Sequence, residues 1–117
     1  MEFNAKIEMQ VGLKSRGGVV IPAEFATTEI ALILSEHGHH GFTVMQQHGY
    51  WRGEAEDSLC ISVMINAMHL GVMAEWATIA YEIAKSLDQE AVLLAEQPLR
   101  GMLVYTDSLE LKGSGIG

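Results

Sequence analysis

Cysteine, proline and positive charge are what this 117-residue chain has least of, and each shortage removes a class of explanation. The single cysteine, Cys60, excludes an intrachain disulfide, and its place in the apolar run from Leu59 to Ile65 reads as a small buried hydrophobe rather than a nucleophile. Only seven Lys and Arg stand against fifteen Asp and Glu, giving a formal net charge of −8. A nucleic-acid-binding face needs clustered cations, so nucleic acid is not expected as a partner, whereas a small cation suits an acidic protein. No apolar run approaches the ~20 residues of a membrane span. The start, Met1 to Lys6, lacks the basic stretch and apolar segment of a secretory leader, so a soluble cytoplasmic protein is expected, with no membrane partner. His37, His39 and His40 cluster, but without a cysteine partner or the helical His-x-x-x-His spacing. They read as polar groups at a helix end, and neither a metal nor a cofactor is expected.

Hydrophobic residues make up 49% of the chain, enough for one core, and no internal repeat is present. One domain is expected over residues 1–112, followed by a flexible tail, Gly113 to Gly117. Phe3, Ala5, Ile7, Met9, Val11 and Leu13 alternate with polar residues and glycine, the period of a half-buried strand. Ser15, Arg16, Gly17 and Gly18 break it, and Pro22 suits the first turn of a helix from about Ala23 to His37 that Gly38 ends. Phe42–His48 and Leu59–Ile65 read as two further strands. Cys60, Ser62 and Met64 leave the second face of the latter only partly polar, which a neighbouring subunit would cover. A second helix is expected from about Met68 to Leu87 with Asn66 as its N-cap, its stripe formed by Val72, Met73, Trp76, Ile79, Ala80, Ile83, Ala84 and Leu87. A short strand Ala91–Ala95, a turn at Gln97–Gly101 and a last strand Met102–Thr106 complete the reading. The order is βαββαβ with an extra C-terminal strand: an α+β, ferredoxin-like sandwich.

The chemistry concentrates in the stretch His48–Ser58. Gly49 and Gly53 bracket Tyr50 and Trp51, so a sharp turn with presented rings is expected, with Glu54, Glu56 and Asp57 following at once. An aromatic surface beside carboxylates suits an organic cation carrying an aromatic base, at roughly 0.5–2 kcal/mol per cation–π contact. The same pattern also fits a long hairpin tip with solvated acids. Ahead of the first helix, the Ser15–Gly18 loop has backbone N–H groups of the kind that hold a carboxylate.

With Gly49–Ser58, the later Asp88–Leu94 and the segment Gly101–Tyr105 together, the C-terminal two thirds of the chain resembles the phage-encoded enzymes that degrade S-adenosylmethionine (SAM). The shared order is a Gly-x-aromatic-Arg segment, acids and a strand, then a helix that ends before a Gln/Asp-x-Val-Leu strand and a Gly-x-Val-Tyr strand. The Gly-x-Trp-Arg pattern with Gln89-Glu90 is also similar to a family of secreted bacterial proteins of the same layout. The resemblance to the phage enzymes implies a homotrimer akin to PII-like nitrogen-signalling proteins, ligand sites between subunits, the cytoplasm of an infected bacterial host, and cleavage of SAM to methylthioadenosine.

SAM carries its own leaving group and, in its α-carboxylate, its own nucleophile. A lyase therefore needs mainly to orient it, an effect worth up to about 7–11 kcal/mol in favourable cases. On this reading Glu56 and Tyr50 are the catalytic residues, and Trp51, Glu54 and the Ser15, Arg16, Gly17 and Gly18 loop bind substrate. Glu56 outranks Glu54 and Asp57 because it lies next to the third strand, which holds it still. A hydrolase using Glu54 or Glu56 as general base is the variant reaction. A PII-like adenine-nucleotide sensor is the alternative function, and a purely structural trimer the third.

Overall fold

A computed structural model describes residues 2–66 and 72–108 of the chain. Strand β1, Glu2–Gly12, keeps the alternation its sequence shows: Ala5, Ile7, Met9 and Val11 are buried, and the residues between them are not. Its buried row meets that of β3, Glu54–Ile65, in antiparallel register, with Ile7 opposite Val63, Met9 opposite Ile61 and Val11 opposite Leu59. Each such side chain contributes about 1.5–3 kcal/mol by leaving water. With β2, Thr43–Trp51, and β4, Leu93–Met102, the strands form one antiparallel sheet in the order β2-β3-β1-β4. This is the βαββαβ arrangement expected from the sequence.

Helices α1, Ala23–Glu36, and α2, Val72–Ser86, cover the buried row. Ala26, Ile30 and Leu34 from α1 and Val72, Trp76, Ile79, Ala80 and Ile83 from α2 join Leu87 in a single core with the sheet. Both helices close with the same C-terminal motif. Gly38 at φ +84° lets its own N–H reach Ser35 O and that of His39 reach Leu34 O; Asp88 at φ +49° does the same with Lys85 O, followed by Gln89 N–H to Ala84 O. The histidines after α1 bind α2: His37 Nε2 lies 2.5 Å from Glu82, and His39 Nε2 lies 2.9 Å from Glu75 with its ring against Trp76. Their role is to join the two helices. The expected start of the second helix, Met68 to Gly71, falls at residues outside those described, as does the tail 113–117, while Asn66, the expected cap, is exposed and lies in neither a helix nor a strand.

Two expectations are corrected. The fourth strand does not turn at Gln97–Gly101, and no fifth strand follows among the described residues: β4 runs through to Met102, then Leu103–Tyr105 is irregular and Thr106–Ser108 makes one 3-10 turn. Pro98 is tolerated because β4 is an edge strand, and the register shift between Phe3 and Ala5 on β1 absorbs the irregularity beside it. The second and third strands are also longer than expected, meeting at Arg52-Gly53.

Candidate functional site

Strand β1 stops pairing with β3 at Gly12, opposite Ser58. Beyond that point one further bond, Leu13 N–H to Asp57 O at 2.8 Å, reaches β3, and β2 and β3 pair on to the tip, His48 opposite Asp57, Gly49 opposite Glu56, Tyr50 opposite Ala55 and Trp51 opposite Glu54. Arg52 at φ +51° and Gly53 at φ +82° close this ribbon as a two-residue turn with two left-handed residues, the geometry that matches strand twist. The sharp turn is thus at Arg52-Gly53, and Gly49 is an ordinary strand position. Side chains alternate along a strand, so Tyr50 and Trp51 point to opposite faces and cannot flank one ligand within one subunit. Trp51, Glu54 and Glu56 share one face. Tyr50 shares the other with His48, whose ring meets it edge-on at 6.0 Å and whose Nδ1 lies 2.9 Å from Asp57.

The acids differ in how they are held. Glu54 and Asp57 are exposed, whereas Glu56 is half-buried, as its place near the three-stranded part of the sheet predicts. What it sits against was not legible in the sequence. A Cβ on Gly12 would stand 2.5 Å from Glu56 Oε1 and 2.8 Å from Gln89 Oε1, so both side chains occupy the space that the glycine leaves. Gln89 is buried, and its Nε2 donates to Lys14 O at 3.0 Å and Leu87 O at 3.1 Å. Its amide oxygen and the Glu56 carboxylate are therefore two acceptors brought to one spot, a pair suited to a cationic or hydroxylated ligand.

Gln89 is the middle of a three-residue hub between α2 and β4. Asp88 takes the Arg16 guanidinium at 2.8 Å, and Glu90 takes that of Arg52 at 2.6 Å. Asp88 and Arg52 are the two non-glycine residues with positive φ among those described, and each spends that strain on one of these ion pairs. Arg52 also lies 5.6 Å from the Trp51 ring centre. The hub thus ties the Ser15–Gly18 loop and the ribbon tip to one connection. In the sequence Gln89 and Glu90 stand out only through their resemblance to a family motif; the signal that marks them is three consecutive polar residues between a helix and a strand.

The Ser15–Gly18 loop does not offer its backbone as expected. Ser15 N–H donates to Val19 O, Arg16 N–H to Asp88 O and Gly18 N–H to Ser15 O, which leaves only the Gly17 N–H without a backbone acceptor among the described residues. Ser15 Oγ accepts from Val19 N–H and so closes the loop on itself. Beside it lies a cleft of about 390 Å³ whose walls include Lys14, Ile21, Pro22, His48, Glu56 and Asp57. A larger groove of about 790 Å³ between α1 and β2 is lined by Phe25, Val44 and Leu59 and by none of the expected site residues. No three His, Cys, Asp or Glu side chains converge as a metal site among the described residues, and no helix there is long and apolar enough to cross a membrane. Cys60 is buried, receives a hydrogen bond from Gln10 Nε2, and has its thiol pKa raised by burial and then by the charge of Glu8.

No family model and no curated protein matches the sequence. Solved structures do. A phage SAM lyase in complex with S-methyl-5'-thioadenosine is similar with a TM-score of 0.68 and 15% identity, over 86% of this chain and 90% of that one. The fold is that of a phage SAM lyase. The apo form of a phage SAM lyase gives a TM-score of 0.69 at 16% identity, over 88% of this chain and 92% of that one. CPII, a nitrogen regulatory PII-like protein from Thiomonas intermedia K12 bound to ADP, AMP and bicarbonate, gives 0.52 at 11% identity, over 90% and 98%.

Proposed function

We propose that the chain is a SAM lyase that works as a homotrimer, with its site completed between subunits. The observation that carries this reading is the convergence of Glu56 and Gln89 over Gly12, in a chain whose fold is shared with enzymes of that activity. In the reaction a substrate carboxylate oxygen attacks its own γ-carbon as the bond from that carbon to the sulfonium breaks. The electron pair goes to sulfur, leaving neutral methylthioadenosine and homoserine lactone. Glu56 faces the positive charge of the sulfonium or ammonium, and the low dielectric of a closed site strengthens that contact. Trp51 supplies a stacking surface on the same face as Glu56, and Glu54 opposite it adds negative charge. Tyr50 lies on the opposite face of the ribbon and enters a substrate site only through the assembly.

Support for assembly comes from the uncovered side of the sheet. Met45, Met64 and Leu93 are exposed there, and β2 and β4 are open edges. Such a surface is normally covered by a partner. A PII-like nucleotide sensor fits the fold, but among the described residues only Lys14 and Arg100 of the basic side chains are free of an ion-pair or aromatic partner, a thin supply for a polyphosphate.

The deciding experiment is incubation with SAM in heavy-oxygen water, followed by mass spectrometry of the products. The lyase gives methylthioadenosine and unlabelled lactone first, with label entering only as the lactone opens. Labelled homoserine with no early lactone indicates activated water, and unchanged SAM with bound adenine nucleotide indicates a sensor.

A further inference from the structure

We propose that Lys14 holds the carboxylate of the substrate, making it the residue by which this site selects an amino-acid-bearing adenosine over methylthioadenosine. The proposal rests on the lyase reading above and names a contact that reading leaves open. A zwitterionic substrate brings one negative group into a strongly acidic protein, and something must receive it.

The six described basic residues leave little choice. Lys6 pairs with Glu8 at 3.6 Å, Arg16 with Asp88, Arg52 with Glu90, and the Lys85 ammonium lies 5.8 Å from the Tyr81 ring centre. Arg100 is free but stands on the edge strand β4 and lines neither cleft. Lys14 is exposed, has no ion-pair partner among the described residues, and lines the same cleft as Glu56. The backbone alternative is largely closed, because three of the four N–H groups from Ser15 to Gly18 are already spent within the fold.

Lys14 is also fixed relative to Glu56. Its carbonyl accepts from Gln89 Nε2, the amide whose oxygen shares the Gly12 space with the Glu56 carboxylate, and its backbone bridges to Val20 across the loop. One buried side chain thus anchors the backbone that carries the Lys14 ammonium and borders the space that the Glu56 carboxylate occupies. A lysine suits this chemistry better than an arginine. Its single point charge leaves a carboxylate oxygen free to attack, whereas a guanidinium fork engages both oxygens at once.

The test is calorimetric titration of the full-length protein with two ligands that cannot react, S-adenosylhomocysteine, which has the carboxylate, and methylthioadenosine, which lacks it. Lys14→Gln is expected to weaken S-adenosylhomocysteine by about tenfold or more and methylthioadenosine by less than about twofold, and Lys14→Arg to restore the first. Unchanged methylthioadenosine binding also shows that the variant is folded. Equal weakening of both ligands, or of neither, overturns the assignment of Lys14 alone. A wild-type protein that binds neither ligand overturns the lyase reading, and this proposal with it.

Discussion

Gly12→Ala is the smallest change that tests how the site is built. Gly12 is not among the residues with positive φ, so alanine fits the backbone, and the difficulty lies entirely in what its methyl group meets. Glu56 Oε1 would stand at 2.5 Å and Gln89 Oε1 at 2.8 Å. Glu56 must retreat by roughly 1 Å to reach ordinary contact distance. It can do so at little cost, since its carboxylate ends a flexible chain; Gln89 resists, since its amide is held by Lys14 O and Leu87 O. Replacing glycine stiffens the unfolded chain and gains about 0.4–1 kcal/mol. Loosening one Gln89 hydrogen bond loses about 0.5–1.5 kcal/mol. Stability should therefore stay within about 1 kcal/mol of wild type, a shift of a few degrees in Tm at fixed protein concentration. Activity should not stay: a displacement of ~1 Å at a positioning carboxylate corresponds to a loss of about tenfold to a hundredfold in kcat/KM for SAM, or roughly 1.4–2.7 kcal/mol. Glu56→Gln alone should cost at least about tenfold, and the double variant should be little worse than Glu56→Gln, because both changes act through one group. Normal turnover by Gly12→Ala, or a fully additive double variant, refutes the claim that Gly12 exists to seat Glu56.

Light scattering at micromolar concentration is expected to show a trimer, and a clean monomer removes any site between subunits. Arg52→Asn keeps a residue tolerant of positive φ ahead of Gly53 and should hold stability in denaturant within about 1 kcal/mol, whereas Gly53→Val should cost about 1–3 kcal/mol; equal effects would mean the turn does not limit the ribbon. Cys60 has a pKa above its ordinary value of 9.0, first through burial and then through Glu8. Its stabilising contribution is full below that ordinary value and is lost as pH climbs through the raised one, so Cys60→Ala should flatten the alkaline fall of stability; an identical fall in both proteins refutes it. The native thiol should react at pH 8 far more slowly than free cysteine.

How much of this was legible in the sequence depends on the range of the forces involved. The strand Glu2–Gly12 and both helices were, because burial on one face prints a period of two or 3.6 on the chain. Gly38 was legible as a helix stop, since the left-handed residue it supplies is a local need. Asp88 performs the same task unseen, because its side chain meets Arg16, 72 positions away. The ribbon was misjudged for a related reason: Gly49 looks like a turn residue but stands in a ladder, where cross-strand pairing rather than local preference decides. Pro98 misled in the opposite sense, being read as a turn when an open sheet edge lets it remain in a strand. Glu56 is the half-buried acid of the three, yet its neighbours there, Gly12 and Gln89, come from the end of β1 and the α2–β4 connection. No spacing in the chain records that contact.

The end of β1 is where the molecule changes character. Up to Gly12 the sheet is backed by two helices, and its inner row is buried; beyond it, β2 and β3 continue as two strands whose residues are exposed or half-buried. A lone two-stranded hairpin is marginal in water. The ion pairs along the ribbon do not make up the difference. His48–Asp57 and Arg52–Glu90 have side chains between 50% and 70% exposed, a setting in which such pairs contribute well under about 1 kcal/mol each. A ligand or a second subunit resting on the ribbon would add to its order. The ribbon also carries most of the residues proposed for the site. At one point the ribbon meets the rest of the fold: Glu56 shares the space over Gly12 with Gln89, whose amide donates to Lys14 O and Leu87 O.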